Sequence, residues 1–199
     1  MQAMLIVDVQ VDFCPGGALA VQDGDKVVPS INARRGDHPL VVFTQDWHPA
    51  GHESFASSHP GTAVGDVIDL HGLQQIMWPD HCVQGTPGAE FHPDLDVRPG
   101  DPVFRKGELP TVDSYSGFRD NDRRHETGLR DYLHAQGVTE LCVAGLATDV
   151  CVKYTVLDAL EFGFITRVLR PGCRAVNLHP GDEAAAYREM AEAGAHLID

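Results

Sequence analysis

The chain has 199 residues, 43% hydrophobic and 22% charged, which excludes wholesale disorder and allows a core that needs no covalent staples. Twenty-nine acidic residues against 15 basic ones give a net charge of −14, a surface that repels phosphate backbones and anionic lipid. Nucleic acid and membrane partners are therefore not expected, which leaves a small-molecule substrate and a monomer or homo-oligomer.

The first segment, Ala3 to Val9, is a short apolar run of the kind buried on both faces of a parallel sheet. It begins directly after the N-terminus, with no basic leader or transmembrane run, so a cytoplasmic location is expected. A helix over Lys26–Arg34 follows, then a strand over Pro39–Thr44. The segment Gln45–Gly100 is too long for a plain connection and reads as a functional excursion. A short strand at Pro102–Phe104 leads to a helix over Thr127–Gln136, stopped by Gly137. The rest alternates: a strand at Glu140–Ala144, a helix from about Asp149 to Phe162, a strand at Phe164–Leu169, a helix over Pro180–Ala193 and a strand at His196–Ile198. Such alternation predicts one α/β domain over residues 1–199, a three-layer α/β/α sandwich around a mainly parallel sheet of about six strands.

The reactive residues fall at one edge of that sheet. Asp8 lies at the end of the first strand, Asp46 just past the second and Lys106 just past the third, while Cys151 follows the GLATD loop after the fourth. Ligands of open parallel sheets bind at the carboxyl ends of the strands. Six of the eleven histidines crowd into the excursion, where DWHPAGH and WPDHC offer Asp46, His48, His52 and His81 as ligands for a divalent metal. Imidazole and carboxylate donors suit zinc, iron or manganese. Solvated histidines, or a buried Asp8–Lys106 pair without chemistry, are the plain alternatives. A cysteine in the first turn of a helix is expected to favour its thiolate, with Thr148 and Asp149 capping that turn. Cys14, Cys82, Cys142 and Cys173 read as packing thiols, with Cys82 a minor ligand candidate beside His81; an odd count without CxxC fits reduced cysteines. A thiol, an acid and an amine together imply acyl transfer to sulfur followed by hydrolysis, with amides and nitriles as substrates.

The segments IVDVQVDFCPGGALAV, TQDWHPAGHESFAS, WPDHCVQGTPGAEFHPDL, FRKGELPTVDSYSGF and GLATDVCVKYTVLDAL resemble those of the nicotinamidases, also called pyrazinamidases, within the isochorismatase-like cysteine hydrolases. The resemblance implies an isochorismatase-like fold and hydrolysis of nicotinamide to nicotinate and ammonia in NAD salvage. It implies a triad of Asp8, Lys106 and Cys151, metal ligands Asp46, His48 and His81, and ring-holding walls Phe13 and Trp78, with Tyr115 closing the pocket. The oxyanion would be held by the N–H groups of Ala147 and Cys151, with a cis bond before Ala147. One divalent ion and no organic cofactor are implied, the ion anchoring the pyridine nitrogen. His52 or water would complete its shell. Val11 departs from the family's usual Asn at that position. The alternatives are another amidase of the superfamily acting on a carbamoyl or ureido compound, and a non-catalytic metal-storage or thiol-sensor protein.

Overall fold

The computed structural model describes residues 1–199. Its centre is a sheet of six strands: β1 (Gln2–Val7), β2 (Leu40–Asp46), β5 (Val103–Lys106), β6 (Glu140–Leu146), β7 (Ile165–Arg174) and β8 (His196–Ile198). The spatial order is β5-β2-β1-β6-β7-β8, and every neighbouring pair is parallel. Successive side chains of a strand point to opposite faces. In β1, Ala3, Leu5 and Val7 therefore enter one core and Met4 and Ile6 the other. The first core is covered by α2 (Leu129–Ala135), α3 (Lys153–Glu161) and α4 (Asp182–Glu192), through Leu133, Val156 and Met190. The second is covered by α1 (Val27–Arg35), through Val27, Val28 and Ile31. Burial on both faces is why the first strand has an unbroken apolar sequence.

Three elements differ from the sequence expectation. The excursion contains an antiparallel hairpin, β3 (Val67–Leu70) and β4 (Leu73–Ile76). Its turn residues His71 and Gly72 both have positive φ, 53° and 88°, which matches the twist of a hairpin but lacks the Asn-Gly or Asp-Gly signature. β7 runs on through Pro171 to Arg174 instead of stopping at Leu169. β8 pairs only with Arg167 to Leu169, so beyond that point β7 has a free side where proline's missing N–H costs no ladder bond. The helix after β6 begins as a π-helical turn, Thr148–Val152, before continuing as α3. No helix is long and apolar enough to cross a membrane.

The chain fills the sheet outward from β1 to one side, then returns to β1's other side with β6, which creates a crevice at the carboxyl ends of the strands. Gly145 holds β1 and β6 close there. It has φ +131°, and a Cβ at this position would lie 2.0 Å from the carbonyl oxygen of Val7. Gly145→Ala is expected to cost about 3 kcal/mol or more, because backbone strain and overpacking combine. Urea unfolding of the variant measures this, and a cost under about 1 kcal/mol would show that the strands separate freely.

Candidate active site

Four strand ends deliver the reactive groups. Asp8 is the first residue after β1, with φ 49°, while Asp46 and Lys106 are the last residues of β2 and β5 rather than lying beyond them. Cys151 comes from the π-helical turn after β6. The Lys106 ammonium is the hub. Its Nζ lies 3.0 Å from Asp8 Oδ2, 3.0 Å from Asp46 Oδ1 and 3.5 Å from Cys151 Sγ, and it donates to the Ser114 carbonyl at 2.7 Å. Thr44 Oγ1 donates to the other oxygen of Asp8 at 2.6 Å. All of these side chains are buried.

Burial decides their charges. Desolvation would lower Lys106, but Asp46 and Asp8 outweigh it and hold the ammonium well above its usual range. Burial raises Asp8 above the ordinary carboxylate value, offset in part by Lys106. Burial acts on Asp46 in the same direction, yet His48 and Lys106 prevail and hold it well below the usual range. Asp8 is thus the carboxylate with the higher proton affinity, suited to carry a proton, and Asp46 the permanent anion.

Cys151 departs from expectation. Burial pushes its thiol well above the ordinary value; Lys106 opposes this, while Asp8, Asp46 and Asp113 add to it. The turn's N-terminal position does not yield a resting thiolate, and a base must remove the proton when the group reacts. The expected caps are also absent. Ala147 precedes the turn at its N-cap position, where no side chain makes a capping bond, and Asp149 instead accepts from the N–H groups of Val176 and Asn177 at 2.9 and 2.8 Å.

Beside Lys106, Asp46 meets two imidazoles. Its Oδ2 is 3.2 Å from His48 Nε2 and 3.5 Å from His81 Nε2. In each ring Nδ1 faces a backbone carbonyl, Gly107 for His48 at 3.0 Å and Pro79 for His81 at 2.7 Å. A carbonyl only accepts, so Nδ1 carries the proton, and in the neutral ring that ligates a metal the lone pair is the one on Nε2, facing the cluster. His48 Nε2 is buried without a hydrogen-bond partner. An orphaned, correctly oriented donor beside a carboxylate and a second imidazole fits a divalent metal, and the carbonyls behind the rings are the supports such ligands use. Gly107 permits this approach, since a Cβ there would lie 2.5 Å from His48 Cε1.

His52 stands outside the cluster. Its Nδ1 accepts from the N–H of Ser54 at 3.0 Å, and its Nε2 points at the carbonyls of Leu109 and Val112 at 2.7 and 3.2 Å. Both nitrogens are engaged, and the ring packs 4.5 Å from that of His48 as a support. Cys82 is likewise no ligand: it is fully buried in the apolar core, where desolvation pushes its thiol well up. His48→Ala or His81→Ala is expected to weaken zinc binding by at least about 100-fold, whereas His52→Ala should retain one zinc per chain. Calorimetric zinc titration separates these outcomes; equal losses in all three variants would make His52 a ligand.

A pocket opens between the two clusters, bordered by Phe13, Trp78, His81, Tyr115, Ala147 and Cys151. The Leu146–Ala147 bond at its floor is cis. Val11 lies outside the lining, its N–H donating to the Glu90 carbonyl at 2.9 Å. Two acids gave no local signal in the sequence. Asp113 is buried on the pocket wall, with Oδ1 4.0 Å from His48 Nε2. Asp12 accepts from the N–H of Cys82 at 2.7 Å, which pins the segment carrying His81. Its carboxylate packs where a Cβ on Gly88 would fall, at 2.1 Å. Only the Asp in VDF and the Gly in TPGAE hint at this contact.

Residues 2–199 match the isochorismatase domain. The chain is 52% identical to a nicotinamidase of Escherichia coli over 98% of its own length and 93% of that protein. In three dimensions it resembles the nicotinamidase pyrazinamidase of Acinetobacter baumanii with a TM-score of 0.96 and 44% identity, covering 100% of this chain and 95% of that one. It also resembles a zinc complex of the pyrazinamidase of Pyrococcus horikoshii, at TM-score 0.82 and 36% identity, covering 100% and 98%. By the length of that match and the identity of these relatives, the chain belongs to the isochorismatase domain family.

Proposed function

We infer that the protein hydrolyses nicotinamide, and by extension pyrazinamide, to the corresponding acid and ammonia through a thioester on Cys151. The observation that carries this reading is the reach of Lys106. One ammonium contacts the thiol at 3.5 Å and both carboxylates at 3.0 Å, joining a nucleophile and its acid–base partner to the aspartate of a metal cluster. The similarity to nicotinamidases supports the choice of substrate.

In this mechanism Asp8 takes the proton of the Cys151 thiol as sulfur attacks the carboxamide carbon. The oxygen that becomes negative is held by the N–H groups of Ala147 and Cys151. Asp8 then returns the proton to the amide nitrogen, the C–N bond breaks and ammonia leaves. Asp8 next removes a proton from water, whose oxygen attacks the thioester carbonyl; the C–S bond breaks, Asp8 returns that proton to the sulfur to restore the thiol, and the acid departs and ionises to nicotinate. Lys106 keeps the buried carboxylate ready for this cycle and stays protonated throughout. Phe13, Trp78 and Tyr115 hold the ring. Asp46, His48 and His81 would hold a zinc, iron or manganese ion, which supplies an anchor for a ring nitrogen. The product acid places the reaction in NAD salvage.

The test is ammonia and nicotinate release from nicotinamide by the metal-loaded protein. Ureido and carbamoyl amides serve as competitors, and benzamide as the ring without nitrogen. Stoichiometric ammonia and nicotinate, with benzamide poorly turned over, is the expected result. Preference for a ureido or carbamoyl compound would assign the protein to a different amidase reaction.

A further inference from the structure

Gln75 plays no part in the mechanism above, yet its side chain is buried, 2% exposed on β4 of the hairpin. Its Nε2 lies 2.8 Å from the carbonyl of Ile76, 2.9 Å from Asp113 Oδ2 and 3.0 Å from the hydroxyl oxygen of Tyr115. A carbonyl and a carboxylate accept only, so the atom facing them is the amide nitrogen and the side-chain orientation is fixed. Two N–H bonds serve three acceptors, one being shared. The indole N–H of Trp78, also purely a donor, lies 3.3 Å from the same Tyr115 oxygen.

The Tyr115 oxygen is therefore approached by two donors, neither of which can accept. Its own proton must be directed elsewhere, and Tyr115 borders the pocket that Cys151 shares. Burial, and then Asp113, push the Tyr115 hydroxyl well above its ordinary value, so it keeps that proton. We propose that Gln75 is a positioning residue which, with Trp78, fixes the Tyr115 hydroxyl as a hydrogen-bond donor into the pocket, favouring heteroaromatic carboxamides with an acceptor besides the anchored ring nitrogen and the amide oxygen, such as the second ring nitrogen of pyrazinamide. The proposal takes its substrate class from the nicotinamide reading and its geometry from the hydrogen bonds alone.

The experiment compares full-length Gln75→Leu, Tyr115→Phe and the double variant in steady-state hydrolysis of pyrazinamide, with nicotinamide, which has one ring nitrogen, as the control. Calorimetric binding of pyrazinamide is measured in parallel, with each change placed in a Cys151→Ala background. For pyrazinamide each single change is expected to raise KM and weaken binding by about tenfold, the value of one hydrogen bond, with kcat within about threefold; an equal loss for nicotinamide overturns the proposal. The double variant should be no worse than either single one, because both changes remove the same donor. Gln75→Glu, which keeps the volume but reverses donor to acceptor, gives the same KM readout if the leucine variant does not fold. A Gln75 change that lowers only the melting temperature, leaving KM and affinity unchanged, overturns the proposal. So does a double variant whose loss is the full product, about 100-fold, since the two residues would then act independently. Failure of the parent to release ammonia from either amide while the Cys151→Ala protein still binds pyrazinamide refutes the proposed reaction, and the binding comparison then decides the role of Gln75. Absence of binding as well overturns both.

Discussion

Cys151→Ala is expected to reduce ammonia release from nicotinamide by at least about 10⁵-fold, the scale on which other hydrolases respond to loss of their nucleophile. The side chain is small, and removing one buried sulfur should cost on the order of 1 kcal/mol of stability, so the variant remains folded. Its metal site should also survive, because Asp46, His48 and His81 make their contacts without the sulfur. Ammonia assay, urea unfolding and zinc titration on the same preparation separate chemistry from folding. A variant that folds, binds zinc and retains turnover within about tenfold of the parent would remove the cysteine from the mechanism.

Asp8→Asn should lower kcat by about 10³-fold, within the range expected for a general acid–base. The substitution preserves volume, and the amide oxygen can still accept from Thr44. What disappears is the proton carrier for the thiol, the leaving nitrogen and the water. The electrostatics add a second, opposite expectation. The charge of Asp8 is among the influences that raise the Cys151 thiol, so its removal favours the thiolate. Alkylation of Cys151 by iodoacetamide needs no leaving-group proton and should not slow in this variant, even as turnover collapses. A folded Asp8→Asn protein with near-parental kcat would reduce Asp8 to the partner of a buried lysine.

Much of this architecture is legible in the chain because its signals are local. The apolar run after Met1 requires a strand covered on both faces, and Gly137 ends a helix as expected, just beyond the last turn of α2. The placement of Asp8, Asp46, Lys106 and Cys151 follows from the alternation of strands and helices alone, since that pattern fixes which edge their loops share. What escaped depends on contacts made across the fold. His52 stands at i+4 from His48, which suggests a shared face. The chain instead turns through Gly51, with φ +74°, and the ring meets the carbonyls of Leu109 and Val112. The protonation of Cys151 escapes for the same reason: burial by the packed fold is the main influence that pushes its thiol up, and Asp8, Asp46 and Asp113 add to it from distant segments. Pro171 looks like a strand terminator until the shortness of β8 leaves that side of β7 unpaired.

The claim on which the account rests is that the acyl group passes through Cys151. Hydroxylamine tests it directly, because a thioester can be intercepted by a stronger nucleophile than water after ammonia has left. With nicotinamide as substrate and rising hydroxylamine, the account predicts that nicotinohydroxamate appears at the expense of nicotinate while ammonia release continues, and that Cys151→Ala forms neither product. Sustained ammonia release with no hydroxamate at any hydroxylamine concentration would mean that water attacks the amide without an acyl-enzyme, and would contradict it.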